Sequence, residues 1–176
     1  MAQKVILLAT LFIALVLSQA FTDQSRPPQP KELRSLEIKI NQQYPYGCSY
    51  TVAIRTSCSS PIYTRDAVSI AFGDAYGSQV YAPRLDDPRS RTFERCSTDT
   101  FVISGPCTYQ ICYVYLMRRG WDGWAPETVR IYSPNGRPVT FYYNMFLPNG
   151  VWYGVNHCGR IFSSHDDNHT LVLSQK

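Results

Sequence analysis

The stretch that decides the fold is Cys48-Ser-Tyr-Thr-Val-Ala-Ile-Arg-Thr-Ser-Cys58. Its apolar residues Tyr50, Val52 and Ile54 occupy alternate positions, which is the period of a half-buried β-strand. The stretch therefore predicts a strand with one face toward a core and the other toward solvent.

The same period recurs along the chain after this strand. The further runs are Val68 with Ile70 and Phe72, Phe101 with Ile103, Cys112 with Val114 and Leu116, and Val129 with Ile131. No segment after Gly47 has the helical period over a helix-like length. Short strands at this spacing predict an all-β fold, an antiparallel β-sandwich of about eight strands.

Two dipeptides predict tight turns within this set of strands. Asn135-Gly136 and Asn149-Gly150 both lie between strand-like runs, at 128–132, 139–146 and 151–155. Both central residues of a type I′ turn need positive φ, which asparagine and glycine tolerate. We therefore expect a β-hairpin at each dipeptide.

Length and composition limit the class of protein. The chain has 176 residues, of which 17% are charged and 14% aromatic, with a formal net charge of +4. One domain is expected at this length, and the composition excludes a disordered or coiled-coil chain. Since no dense Lys/Arg tract is present, we expect no nucleic-acid partner.

Residues 1–20 have the composition of a secretory signal peptide. Lys4 gives a positive start, residues 5–17 are apolar, and Ser18 and Ala20 supply the small residues of a cleavage site. The alternative is a membrane anchor, but a spanning helix needs about 20 apolar residues. We therefore predict a secreted protein without a transmembrane segment.

The remaining chain divides into three parts. Residues 21–47 form a proline-rich linker followed by an edge strand, in which Leu36, Ile38 and Ile40 alternate with charged residues. Residues 48–158 form the sandwich, and residues 159–176 form a polar tail.

An even number of cysteines in a secreted chain predicts disulfides rather than metal ligands. The six are Cys48, Cys58, Cys96, Cys107, Cys112 and Cys158. Cys48 and Cys58 lie at opposite ends of one strand, about 30 Å apart, so they do not pair. We expect Cys48 to pair with Cys158, on the assumption that the first long strand and the last strand are neighbours. A zinc site is not expected, because no C-x-x-C pair is present.

The sequence contains no known catalytic or phosphate-binding motif, so we predict no catalytic residue and no cofactor. The three histidines crowd at the C-terminal end, and the stretch His165-Asp-Asp-Asn-His169 is interpreted as a solvated tail rather than a metal site. Asp86 and Asp87 lie among arginines and prolines and are expected to form loop ion pairs. Asn168 begins a glycosylation sequon in this tail and is the candidate glycosylation site, although a sequon is necessary but not sufficient for modification.

Several motifs together resemble one plant family. They are the stretch from Cys48 to Cys58, Thr64-Arg-Asp66, Ala71-Phe-Gly-Asp-Ala-Tyr-Gly77, Phe93-Glu-Arg-Cys-Ser-Thr-Asp-Thr-Phe101 and Gly120-Trp-Asp-Gly-Trp124. In this order they are similar to the plant embryo-specific protein 3 family, within the PLAT (lipoxygenase homology) superfamily. The resemblance implies two four-stranded sheets, a non-enzymatic docking role toward membranes or partner proteins, and a role in embryo or seed development.

The sequence departs from the calcium-binding members of that superfamily. The loop that would supply acidic ligands reads Thr56-Ser-Cys-Ser-Ser-Pro-Ile-Tyr-Thr64, and only Asp66 matches. A second acidic stretch would fall at Met117-Arg118-Arg119, which is basic. Because calcium requires several oxygen ligands and cations oppose it, we expect no metal site here.

The candidate binding residues are Trp121, Arg118 and Arg119, which should project from one end of the sandwich. An aromatic residue beside cations suits an anionic lipid interface. The alternative is that Trp121 folds back onto the sheet, whereas Trp124 is expected to be a core residue.

These observations predict a secreted, non-enzymatic binding module that docks to a lipid or membrane surface or to a protein partner. Two alternatives stay open. One is a hydrolase of cell-wall polysaccharide, which would need a pair of carboxylates with one pKa raised by burial. The other is a structural protein of the extracellular matrix.

Overall fold

The computed structural model describes residues 29–33, 47–85 and 91–159. Within these residues it contains nine β-strands and no helix, and so no helix that could cross a lipid bilayer. The strands are β1 Lys31–Leu33, β2 Gly47–Thr56, β3 Ala67–Gly73, β4 Gln79–Ala82, β5 Thr98–Pro106, β6 Tyr113–Arg119, β7 Pro126–Tyr132, β8 Val139–Tyr142 and β9 Trp152–Asn156.

The strands form two sheets. One has five strands in the order β1-β9-β6-β3-β4, and the other has four in the order β5-β2-β7-β8. Every neighbouring pair is antiparallel. The predicted antiparallel sandwich is confirmed. The additional strand is the three-residue β1, which pairs with β9 at the edge of the larger sheet and follows directly on the proline-rich segment.

The core lies between the two sheets and follows the alternation of the sequence. Tyr50, Val52 and Ile54 of β2 are fully buried, as are Val68 and Phe72 of β3. The rings of Tyr50 and Phe72 meet edge to face across the core at 5.3 Å. Burial of each such side chain stabilises the fold by about 1.5–3 kcal/mol.

All six cysteines are paired, so the predicted disulfide framework is confirmed and none of them is a metal ligand. The bridges are Cys48–Cys107, Cys58–Cys96 and Cys112–Cys158. Cys48 and Cys58 do not pair, as predicted, but the expected Cys48–Cys158 bridge is wrong. The reason is that β2 and β9 belong to different sheets, so each of these cysteines meets a neighbour within its own sheet.

Of the two predicted hairpins, one is confirmed. β7 and β8 are antiparallel neighbours joined through Asn135-Gly136, but neither residue of the dipeptide has positive φ, so the turn is not type I′. The hairpin at Asn149-Gly150 is wrong. Gly150 does turn the chain with a φ of 72°, but β8 and β9 lie in different sheets, and the turn carries the chain from one sheet to the other.

Several predictions fall outside the described residues. These are the signal peptide at 1–20, the edge strand at 36–40, the ion pairs of Asp86 and Asp87, and the tail with His165, His169 and Asn168.

The loops gather at the two ends of the sandwich. At one end lie the β2–β3 loop (57–66), the β6–β7 loop (120–125), the β8–β9 loop (143–151) and residues 91–97 before β5. We call this the Trp121 end. The opposite end, with the β3–β4, β5–β6 and β7–β8 loops, is called the Cys112 end.

Candidate functional site

The Trp121 end exposes four large apolar side chains. Trp121 is 96% exposed, Ile62 68%, and Tyr63 and Phe146 53% each. They come from three different loops: β2–β3 for Ile62 and Tyr63, β6–β7 for Trp121, and β8–β9 for Phe146. Large apolar side chains that are exposed together at one end of a domain are typical of an interaction surface.

Hydrogen bonds tie these three loops to one another. The backbone N–H of Arg65 donates to Asp122 Oδ2 at 2.8 Å, which joins the β2–β3 and β6–β7 loops. The N–H of Gly120 donates to Asn149 Oδ1 at 3.2 Å, which joins the β6–β7 and β8–β9 loops. The exposed side chains therefore rest on a single cross-linked framework.

Asp66 is the centre of that framework. It is only 2% exposed, and its Oδ1 accepts a hydrogen bond from the N–H of Asp122 at 3.0 Å. Its Oδ2 accepts from the N–H of Gly123 at 3.1 Å and from Arg118 Nη1 at 2.7 Å. The register of β3 on β6 places the two partners together, because Val68 pairs with Arg118.

Arg118 does not project from the end of the sandwich as the sequence led us to expect. It is the penultimate residue of β6, and its side chain is 13% exposed. Its Nε donates to the carbonyl of Leu147 at 2.7 Å, and Nη1 donates to Gly120 O at 3.3 Å as well as to Asp66. That expectation is wrong because a buried carboxylate, invisible to local sequence patterns, holds the guanidinium.

The other two candidates lie at the surface. Arg119 is exposed, and Trp121 stands almost entirely in solvent rather than folding back onto the sheet. Arg118 therefore connects the loops by hydrogen bonds, whereas the side chain of Trp121 is accessible from solvent.

Three exposed residues of this surface were missed by the sequence reasoning. Ile62 and Tyr63 follow Pro61 in a loop that is otherwise rich in serine, and two apolar residues in such a loop were a usable signal. Phe146 was assigned to a strand, but β8 ends at Tyr142.

The charge at this end is predominantly positive. Arg65, Arg95 and Arg119 are exposed, against the exposed carboxylate of Asp122. The guanidinium of Arg65 lies 5.4 Å from the centroid of the Tyr63 ring. Apolar and cationic side chains are therefore both exposed at this end.

The residues at this end do not fit a calcium ion. The oxygens of Asp66 are occupied by two backbone N–H groups and by the guanidinium of Arg118, whose positive charge opposes a cation. No group of three or more His, Cys, Asp or Glu side chains converges within the part of the chain that the structure describes.

The Cys112 end is organised in a similar way around Asp74, which is 3% exposed. Asp74 Oδ1 accepts from the N–H of Tyr76 and of Ser78, and Oδ2 accepts from the N–H of Tyr109, at 2.9–3.0 Å. The rings of Tyr76 and Tyr109 contact each other, and each is 69% exposed.

Burial perturbs the pKa values of two tyrosines, Tyr113 at the start of β6 and Tyr143 at the start of the β8–β9 loop. Desolvation raises the pKa of Tyr143 well above its usual value near 10.0, and the nearby Tyr115 adds to the shift. Desolvation also raises the pKa of Tyr113, while a hydrogen bond from Gln79 opposes it. Both phenols are therefore neutral at physiological pH and serve packing.

Comparison with known proteins agrees with this geometry. Residues 35–158 match the family model described as embryo-specific protein 3 (ATS3). Among curated proteins of Arabidopsis thaliana, embryo-specific protein ATS3A is 66% identical over 76% of this chain and 74% of its own length. Embryo-specific protein ATS3B is 51% identical over 92% of this chain and 83% of its own length.

Among solved structures, the fold is similar to part of coral 8R-lipoxygenase, described as having calcium activation via a C2-like domain. The TM-score is 0.52 at 21% identity, and the match covers 60% of this chain but only 17% of the lipoxygenase chain. This likeness extends to the fold alone. The family model that matches residues 35–158 and the two relatives lead to one conclusion: the chain belongs to the embryo-specific protein 3 family.

Proposed function

We propose that the protein is a secreted, non-enzymatic docking module of the plant embryo or seed that adheres to anionic lipid surfaces through the Trp121 end. The observation that carries this proposal is the exposure of Ile62, Tyr63, Trp121 and Phe146 on three cross-linked loops, with arginines beside them.

The magnitudes favour reversible adhesion. An arginine near an anionic membrane contributes about 1 kcal/mol, and this contribution is screened by salt. Each large apolar side chain adds up to about 1.5–3 kcal/mol if it is fully removed from water. Since the loops are already tied together, little conformational entropy is lost on binding.

A non-enzymatic role is supported by what the buried carboxylates do. Asp66 and Asp74 flank β3 at its two ends, and the extended strand between them separates their Cα atoms by about 26 Å. This exceeds the spacing of about 5–9.5 Å that a glycosidase pair requires. Each is also occupied by backbone N–H groups. The names of the two relatives, embryo-specific proteins, likewise describe no enzyme.

Secretion is supported by two independent features. Residues 1–20 have the composition of a signal peptide. The three disulfides are of the kind that persists in oxidising compartments. The role in the embryo or seed is inferred from the names of the relatives.

Sedimentation with lipid vesicles tests the proposal. The native protein should bind vesicles that contain phosphatidylserine more tightly than vesicles of phosphatidylcholine alone. Raising salt from about 0.1 M to about 1 M should weaken binding, because the Debye length falls from about 10 Å to about 3 Å.

A matched pair of double variants locates the surface. Trp121→Ala with Phe146→Ala should lower the partition coefficient at least about tenfold, equivalent to about 1.4 kcal/mol. The control is Tyr76→Ala with Tyr109→Ala, which removes two equally exposed aromatics from the Cys112 end and should leave binding unchanged. Absence of binding by the native protein, or equal losses in both variants, would contradict the proposal.

A further inference from the structure

The guanidinium of Arg118 is surrounded by three oxygen atoms. Asp66 Oδ2 and the carbonyl of Leu147 each lie 2.7 Å from one of its nitrogens, and the carbonyl of Gly120 lies at 3.3 Å. The group is largely buried, since the side chains of Arg118 and Asp66 are 13% and 2% exposed.

Each of the three oxygens belongs to a different loop of the Trp121 end. Asp66 ends the β2–β3 loop that carries Ile62 and Tyr63. Gly120 opens the β6–β7 loop that carries Trp121, and Leu147 lies next to Phe146 in the β8–β9 loop. One positive charge therefore holds all three loops that bear the exposed apolar side chains.

This set of acceptors, a carboxylate and two backbone carbonyls, is of the type that hard cations prefer in proteins. Here the cation is covalently attached to β6 and cannot dissociate. A guanidinium is charged at every physiological pH, and its several N–H groups can reach more than one acceptor at once. A calcium ion would have to displace it and leave a buried guanidinium without its carboxylate, which is strongly unfavourable.

We propose that Arg118 is a built-in cation that assembles the Trp121 end, so that this end is organised without a dissociable metal ion and is not switched by calcium. The claim that calcium does not switch lipid adhesion rests on the proposed function. The claim that Arg118 assembles the three loops does not. Arg118 is in this sense a positioning residue for Trp121 and its neighbours.

The native protein provides the first test. Calcium at about 1 mM, the range in which extracellular modules bind it, should change neither the thermal midpoint nor the amide hydrogen exchange of the three loops relative to a chelator. A reversible rise in the midpoint, or slower exchange in these loops with calcium, would overturn the proposal. Neither measurement involves vesicles, so failure of the proposed function would not affect it.

Substitution provides the second test. Arg118→Ala should speed amide exchange in all three loops, and millimolar methylguanidinium should partly restore slow exchange, because it can bind the vacated position in the folded protein. Arg119→Ala, at the exposed neighbour, should do neither. If exchange rises only within β6, or equally in Arg119→Ala, the guanidinium does not assemble the loops and the proposal is wrong.

A conservative variant keeps the test valid if Arg118→Ala fails to fold. Arg118→Lys retains the charge but cannot reach three separated oxygens with a planar fork. It should give intermediate exchange rates in the three loops and remain insensitive to calcium. Exchange as slow as in the native protein would show that the forked geometry is unnecessary and would overturn the assembly role.

Discussion

Trp121 and Trp124 are separated by two residues, yet Trp121 is 96% exposed whereas Trp124 is fully buried. Trp124 Nε1 donates a hydrogen bond to the buried hydroxyl of Thr56 at 3.1 Å, and its ring lies 4.7 Å from that of Phe93. One tryptophan thus belongs to the core and the other to the surface. Substitution of Trp124 should therefore change the stability of the fold, whereas substitution of Trp121 should change lipid binding.

We expect Trp124→Phe to lower the free energy of unfolding by about 2–4 kcal/mol. The smaller ring leaves a cavity, and the buried Thr56 hydroxyl loses its partner. Urea denaturation measures the change. Trp121→Ala is the control and should alter the unfolding free energy by less than about 0.5 kcal/mol, as an exposed substitution does. A large loss in Trp121→Ala would show that this side chain is packed in solution.

Gly120 should be far less tolerant of a side chain than Gly123. A Cβ on Gly120 would overlap the carboxylate of Asp66, and its φ is 155°. We expect Gly120→Ala to cost about 1–3 kcal/mol and to loosen the loop around Trp121. A Cβ on Gly123 would meet nothing within 4 Å, but the φ of this residue is 81°. Gly123→Ala should therefore cost only the backbone strain of a positive φ, about 1–2 kcal/mol. Loop exchange in Gly123→Ala should therefore stay slow, and equal exchange in the two variants would refute the steric argument.

The oxidised protein should contain no reactive thiol. Peptide mapping under non-reducing conditions should recover Cys48 with Cys107, Cys58 with Cys96, and Cys112 with Cys158. Replacing Cys112 and Cys158 together by serine should cost about 2–5 kcal/mol, because the unfolded chain gains conformational freedom. Recovery of a Cys48–Cys158 peptide would contradict the sheet assignment.

Stability should fall at alkaline pH, in part because of Tyr143. Its hydroxyl lies 3.2 Å from Val114 O and 3.3 Å from Tyr153 O, and burial raises its pKa well above 10.0. The unfolded chain ionises first, so this contribution is intact below pH 10 and declines as pH rises from about 10 toward the folded pKa. At neutral pH the free energy of unfolding of Tyr143→Phe should be about 1 kcal/mol below that of the native protein. Between about pH 10 and 11 this free energy should fall less in the variant than in the native protein.

Urea unfolding at several pH values measures this difference. Tyr76→Phe, at an exposed position, is the matched control and should follow the native curve. If the native protein and Tyr143→Phe lose stability in parallel above pH 10, a group other than Tyr143 causes the loss at alkaline pH and the prediction is wrong.

The strands of this fold could be predicted because their signal is local. Alternation of Tyr50, Val52 and Ile54 shows which face is buried, whatever strand lies beside them. Pairing between strands is a non-local property, and nothing in the residues around Cys48 and Cys158 indicates that they belong to different sheets. The hairpin expected at Asn149-Gly150 was wrong for the same reason, because the sequence does not indicate that β8 and β9 lie in different sheets.

The candidate binding surface was predicted only in part for a related reason. Trp121 was found because an aromatic beside Asp122-Gly123 is visible in sequence. The role of Arg118 was not, because Asp66 lies 52 positions earlier and reaches it only through the pairing of β3 with β6. Ion pairs across loops follow from sheet register, which sequence patterns do not provide.

The two disulfides that flank the pairing of β2 with β5 have a consequence for self-association. β5 is a nine-residue edge strand, bonded to β2 on one side, with Val102 73% exposed and no lysine along it. An edge strand of this length can pair with another copy of the chain, which leads to strand exchange and aggregation. Cys58–Cys96 lies just before β5 and Cys48–Cys107 just after it, so the strand is fastened to its neighbour at both ends. Domain swapping through β5 is therefore closed to the oxidised protein and becomes available only once both bonds are reduced.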